Sequence, residues 1–299
     1  MVSLRERLAH HEILVVVGAH DPFTALIAQR SGVEAVFLGG YSLAAHLHGL
    51  PDIGFIGLSD VVEVLERITA TSSIPVIVDA DTGYGAEPAV RRTIARLERA
   101  GAAGIQIEDQ VSPKRCGYME GKRVIPIEEM VVKVRAAVEA RTSDDLLLIA
   151  RTDALAVTGM EDAIARVAAY AQAGADLVVV DAVTEREQIE LLAERVEAPK
   201  MVPMPPRGAM LSVRELQELG FRMVVFPSTQ GSWLIAQAYA GLCEEIVRSG
   251  TTGTLLDGFV DFEMLHAITD REGWEAPVTG QHFEPPGRRS ATIGDGVSR

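Results

Sequence analysis

Residues 13–23 read ILVVVGAHDPF. The opening run, ILVVV, has no polar residue to alternate with its apolar ones, which is the pattern of a strand covered on both faces, as in a parallel sheet. The turn after it decides between the two common parallel-sheet folds. A doubly wound open sheet needs a glycine-rich phosphate turn after its first strand, and VGAHDPF (17–23) is not G-x-G-x-x-G.

Seven more such runs follow: AVFL (35–38), PVIVDA (75–80), GIQIED (104–109), LLLIAR (146–151), LVVVDA (177–182), KMVPM (200–204) and MVVFP (223–227). Helical patterns lie between them, among them EPAVRRTIARLERAG, IEEMVVKVRAAVEAR and MEDAIARVAAYAQAGA. Several close on a glycine stop, at Gly32, Gly101, Gly174 and Gly220. Eight strands alternating with helices predict an α/β fold, a (β/α)8 TIM barrel. Length alone would suggest about two domains, but the regular alternation predicts one, over residues 1–284. That domain includes the helices of SWLIAQAYAGLCEEIVRSG (232–250) and DFEMLHAITDREGW (261–274). The Gly-, Pro-, Arg- and Ser-rich tail from 285 to 299 is expected to be mobile.

A net charge of −14 argues against nucleic acid or an anionic membrane as partner. An acidic substrate can still be held through a local cluster of cations or a metal. The two cysteines, Cys116 and Cys243, are far apart and show neither disulfide nor zinc spacing, which points to a reducing compartment. With no leader-like segment and no long apolar run, the expected location is the cytoplasm.

Catalytic groups of such a barrel sit at the C-terminal ends of its strands. Those ends carry Asp79 and Asp81, then Glu108 and Asp109, Arg151 and Asp153, and Asp181. Asp79 and Asp81, two apart on one strand, are expected to share a face, and like charges so close need a cation. Oxygen-only ligands favour Mg²⁺ or Mn²⁺. Arg151 ends an apolar strand and needs an anionic partner, either a structural acid or, the favoured reading, a substrate carboxylate. Asp52, in HGLPDIGF, taken alone reads as a turn residue. His46 and His48 read as ordinary surface or loop residues, Cys243 as helix packing, and Trp233 and Trp274 as core or subunit contacts.

Residues 110–123 read QVSPKRCGYMEGKR. A packing cysteine has apolar neighbours. Cys116 instead follows Lys114 and Arg115 and precedes Gly117, a setting expected to expose the thiol and lower its pKa.

Taken in order, GLPD, DADTGYG, IEDQ, PKRCG and ARTDA resemble the isocitrate lyase/phosphoenolpyruvate mutase superfamily over residues 5–250, closest to its methylisocitrate lyase-like branch. The resemblance implies a homotetramer with a C-terminal helix exchanged between subunits. It implies Mg²⁺ held by Asp79 and Asp81 with Glu108 assisting, mostly through water, and Asp52 close by. Arg151 and the amides near Gly40 and Tyr41 would hold a carboxylate, while a loop carrying Lys114, Cys116 and Gly117 closes over the substrate. The reaction so implied is retro-aldol-type cleavage of a small 2-hydroxy or 2-oxo acid, with Cys116 as proton donor.

The chain departs from that pattern in several places. Tyr118 stands where the lyases have His; Phe37 and Gly39 stand where they have Tyr and a hydroxyl residue. Asp181 replaces Glu, and Pro203 replaces Asn, with Arg207 a candidate substitute cation. A smaller or less charged distal substrate group, or different chemistry, is therefore expected. Oxaloacetate-type hydrolysis or decarboxylation, phosphonomutase activity and non-catalytic 2-oxoacid binding stand as rivals.

Overall fold

Eight parallel strands form because each run is apolar on both sides and is followed by a helix long enough to cross back. The computed structural model describes residues 3–10, 12–205 and 211–275. The strands are β1 (Leu14–Ala19), β2 (Ala35–Leu38), β3 (Val76–Asp79), β4 (Gly104–Glu108), β5 (Leu147–Thr152), β6 (Leu177–Val180), β7 (Met201–Pro203) and β8 (Met223–Phe226). Their spatial order is β6-β5-β4-β3-β2-β1-β8-β7. A parallel bridge between Val178 and Lys200 brings β6 back to the start of β7, so the sheet is a nearly closed barrel. The expected (β/α)8 architecture is present. Gly32, Gly101, Gly174 and Gly220 all have positive φ, as helix stops need.

The period of two along each strand sorts side chains into two cores. Val36, Leu38, Val76 and Val78 point out against the helices. Leu14, Val16, Ala35, Phe37, Ile77, Ile149, Val179, Met201 and Val225 fill the barrel, and Leu4 of the helix Leu4–Ala9 joins them. The next inward residue on each strand, two further on, belongs to the mouth: Gly39, Asp79, Arg151, Asp181, Pro203 and Pro227. On β1 that position is Gly18, and a Cβ there would lie 2.0 Å from the Ser228 nitrogen. This glycine lets the helix Ser228–Ser249 begin against the barrel rim.

That helix is exposed along much of its length, including Trp233, Tyr239 and Cys243, so Cys243 is not the packing residue expected. Trp274 is exposed too, which excludes a core role for either tryptophan within this chain. No helix among the described residues is long and apolar enough to cross a membrane. Arg207 and the tail 285–299 lie outside the described residues.

Candidate active site

At the C-terminal mouth of the barrel is a cavity of about 90 Å³. Its wall includes Gly39, Gly40, Tyr41, Asp52, Asp79, Lys114, Cys116, Gly117, Tyr118, Arg151, Asp181 and Pro203. Of the residues singled out in the sequence, Asp81, Glu108, Asp109 and Asp153 are buried without reaching that wall, at 4%, 1%, 0% and 0% exposure.

Asp79 and Asp81 do come together, but not by strand alternation. Strand β3 ends at Asp79, and Asp81 has φ of +48°, a left-handed turn conformation. The Asp81 N–H donates to Asp79 Oδ1 at 3.1 Å. Asp52, which sequence alone makes a turn residue, is buried and accepts Lys114 Nζ at 2.7 Å, while the same ammonium lies 2.9 Å from Asp81 Oδ1. Burial opposes the charge of Lys114, yet the surrounding carboxylates, Asp81 first, raise its pKa well above the ordinary value. It stays an ammonium. Gly40 makes room for this bridge, because a Cβ there would meet Asp81 Oδ1 and Lys114 Nζ at 3.1 Å each.

Arg151 finds structural acids. Its Nε and Nη2 reach Asp153 at 2.8 and 2.9 Å, Nη2 reaches Asp181 at 2.9 Å and Nε lies 3.2 Å from Glu108. Nη1 takes no part in these contacts. Burial works against ionisation of Asp153, but Arg151 and Lys122 outweigh it and hold the carboxyl at about 2. Burial raises Asp181 and, much further, Glu108; Asp81 is raised to about 7, again by burial, despite Lys114.

Six carboxyls (Asp52, Asp79, Asp81, Glu108, Asp153 and Asp181) thus share three cations (Lys114, Lys122 and Arg151). One Glu108 oxygen, Oε1, is buried with no hydrogen-bond partner among the described residues. Unbalanced, oxygen-only charge of this kind fits Mg²⁺, which keeps much of its water and uses few protein oxygens. No group of three or more His, Cys, Asp or Glu side chains among the described residues is arranged to ligate an ion directly.

The cysteine segment is folded over the cavity. Cys116 N–H donates to the Asp52 carbonyl at 3.1 Å, and Gln110 clamps Arg115 from both sides, at 2.8 and 3.0 Å. Lys122 Nζ donates to the Gly117 carbonyl and to Asp153 at 2.8 Å. Gly117 packs so tightly that a Cβ would lie 1.7 Å from Asp181 Oδ2. The thiol differs from its sequence expectation. It is half-buried, and burial raises its pKa. The adjacent cations do not lower it because Lys114 is committed to Asp52 and Asp81, and Arg115 turns to solvent.

Asp109 belongs to the scaffold. It accepts from Thr152, Tyr170, Arg166 and the Asp153 N–H at 2.6, 2.7, 3.1 and 3.0 Å. His46 is exposed, as a surface histidine is expected to be, but sits in the π-helical turn Ala44–His48 rather than a loop, stacks on His20 at 3.8 Å and meets Ser232 Oγ at 3.0 Å. Ser228, Thr229 and Gln106 also line the cavity and were missed. Reading the end of β8 as the other strand ends were read would have found FPST. These hydroxyls stand where the hydroxyl absent after β2 left a gap, with Ser228 Oγ 3.3 Å from a Cβ built on Gly39.

Residues 4–247 match the family model described as phosphoenolpyruvate phosphomutase. The chain is 40% identical to 2-methylisocitrate lyase of Aeropyrum pernix, covering 91% of this chain and 92% of that one. It is 36% identical to 2,3-dimethylmalate lyase of Eubacterium barkeri, covering 90% and 94%. A crystal structure of 2,3-dimethylmalate lyase superposes with a TM-score of 0.84 at 34% identity, covering 92% and 94%. The chain belongs to the phosphoenolpyruvate mutase/isocitrate lyase superfamily.

Proposed function

We propose that the protein is a Mg²⁺-dependent carbon–carbon lyase. It cleaves a small 2-hydroxy or 2-oxo carboxylic acid into a 2-oxoacid, such as pyruvate or glyoxylate, and a second acid. The observation that carries this is the half-buried thiol of Cys116, set in the wall of a cavity that Asp52, Asp79, Lys114, Arg151 and Asp181 also line.

The substrate carboxylate lies against the amides of Gly40 and Tyr41, which open a helical turn whose cap, Gly39, offers no side-chain acceptor. Arg151 Nη1 and the Thr229 hydroxyl, the latter buried without a partner among the described residues, complete its donors. Asp79 and Asp81, with Glu108 assisting, would hold Mg²⁺, which when bound would supply positive charge to polarise the 2-oxygen. Asp52 accepts the 2-hydroxyl proton, the oxygen pair forms the carbonyl, and the C2–C3 electrons remain on C3. Cys116 delivers its proton to that carbon. The proton on Asp52 then returns to the thiolate; the backbone contact from the Cys116 N–H to the Asp52 carbonyl keeps the two residues on adjacent segments. Lys114, fixed as an ammonium, holds Asp52 in place, and the closed loop keeps water from the carbanion.

We further propose a cytoplasmic homotetramer. The exposed Leu234, Tyr239, Val247 and Phe262, at 67–86% exposure, are the surface that other copies would cover. Light scattering after gel filtration tests the assembly. The reaction is tested by screening 2-hydroxy and 2-oxo acids with Mg²⁺ and following their fragments by mass spectrometry. Cleavage to a 2-oxoacid supports it; oxalate binding without turnover of any acid opposes it.

A further inference from the structure

The cysteine segment, residues 110–125, is a loop clipped at its base. The Val111 N–H donates to the Arg123 carbonyl and the Ile125 N–H to the Asp109 carbonyl, each at 2.8 Å, and Gln110 and Val124 form an antiparallel bridge. The limb returning from the tip turns at Gly121, whose φ of +78° a side chain would strain, and Lys122 follows directly. The Lys122 side chain is 2% exposed. Its ammonium donates to two acceptors, the Gly117 carbonyl and Asp153 Oδ1, the second at 2.8 Å. Asp153 is already compensated without it. Arg151 Nε and Nη2 sit on its two oxygens at 2.8 and 2.9 Å, and Asp109 accepts from its N–H at 3.0 Å. Burying an ammonium is costly unless its bonds replace those it loses to water. What Lys122 adds here is a hold on the Gly117 carbonyl, one residue from Cys116.

We infer that Lys122 is the positioning residue of this loop: anchored on Asp153, its ammonium receives the Gly117 carbonyl and so sets Cys116 at the cavity. The inference rests on the lyase reading above for what the placed thiol does, and on these contacts for the placing. Other holds on the tip lie towards β2 and β3, from the Cys116 N–H to the Asp52 carbonyl and from Lys114 to Asp52 and Asp81. Lys122 meets the tip from the β5 side, where Asp153 follows the strand, so the loop is held from both sides of the mouth. Asp153 Oδ1 takes both Lys122 and Arg151 Nη2. One carboxylate therefore fixes the cation that holds the loop relative to the cation that lines the cavity.

The test is Lys122→Met in the Mg²⁺-loaded protein with oxalate bound, read by the rate at which iodoacetamide alkylates Cys116, followed by peptide mass spectrometry. Losing a hydrogen bond from a charged donor shifts an equilibrium about ten- to a hundredfold, so Cys116 should be alkylated faster by that factor. Oxalate should still bind, because Lys122 does not line the cavity. With an acid that the wild type cleaves, kcat should fall about tenfold or more, as a displaced proton donor requires, with KM nearly unchanged. Lys122→Gln, neutral and one bond too short to span both acceptors, carries the same expectations if the methionine variant does not fold. A lower melting temperature with Cys116 alkylation and kcat both unchanged would make Lys122 a structural counter-ion and overturn the inference. Should the wild type cleave no acid, the lyase reading fails, and the alkylation rates still decide whether Lys122 places the loop.

Discussion

The backbone N–H of Cys116 donates to the carbonyl oxygen of Asp52 at 3.1 Å, so the loop after β4 is pinned to the loop after β2. Both segments meet over the same cavity, and Lys114 repeats the link by pairing with the Asp52 side chain. The proposed proton donor, the Cys116 thiol, and the proposed acceptor, Asp52, are thereby held on adjacent chain segments.

Burial raises the Cys116 pKa, so the thiol keeps its proton through neutral pH and beyond the ordinary cysteine range. A proton donor fails once it is deprotonated. Activity should therefore be present below the raised pKa and be lost as pH rises through it. A kcat profile for wild type should show an alkaline fall that Cys116→Ser, with its much less acidic hydroxyl, shifts out of range. An alkaline limb identical in both proteins would assign the fall to another group.

Loop closure depends on the bare backbone at Gly117. In Gly117→Ala the new methyl would lie 1.7 Å from Asp181 Oδ2 and 2.9 Å from Arg151 Nη2. Asp181 can yield only by giving up its 2.9 Å contact with Arg151. Turnover should fall on the order of a hundredfold, as misplacement by an ångström does, while the melting temperature changes little because the loop can rest open. Cleavage of the loop by a protease during titration with oxalate would report its failure to close.

Asp109 should matter to stability rather than to chemistry. It is fully buried and neutralises Arg166, which is itself buried. Asp109→Ala leaves Arg166 with Asp162, 2.8 Å from its Nε, as its remaining acid and strips Thr152, Tyr170 and the Asp153 N–H of their acceptor, which should cost roughly 3–5 kcal/mol in denaturant unfolding. A loss below about 1 kcal/mol would show that Arg166 is rehydrated or re-paired.

Glu108→Gln tests the ion directly. Its Oε1 has no partner among the described residues and burial raises its pKa, so Arg151, 3.2 Å from Oε2, compensates it only in part. Removing that charge should weaken Mg²⁺ binding, read by calorimetry, roughly ten- to a hundredfold. Unaltered affinity would place the ion elsewhere.

Much of the barrel was legible in the sequence because it needs only a local pattern. Continuous apolar runs such as LVVVDA fix a strand, and the strand's end fixes which residue faces the mouth. That rule located Asp79, Arg151 and Asp181 without a structure. It failed at Asp81, whose left-handed turn no periodicity reveals, and at Cys116. There, neighbours in sequence suggested a lowered pKa, but the partners that matter come from other segments. Asp52 and Asp81 take the lysine, and burial then decides the thiol's proton. Asp109 and Glu108 are consecutive, yet one is scaffold and the other faces the acidic cluster, a difference set by Arg166 and Tyr170, more than fifty residues away. Thr229 was missed only because the strand-end rule was not carried to β8.

The most direct test traces deuterium. Wild type and Cys116→Ala are incubated in D₂O with Mg²⁺ and a cleavable 2-hydroxy acid, and the fragments are weighed by mass spectrometry. The account predicts one non-exchangeable deuterium on the former C3 of the acid released by wild type. It also predicts a loss of turnover on the order of 10²–10⁴ in the variant, with oxalate binding retained. Equal turnover and equal labelling in the two proteins would contradict Cys116 as the proton donor.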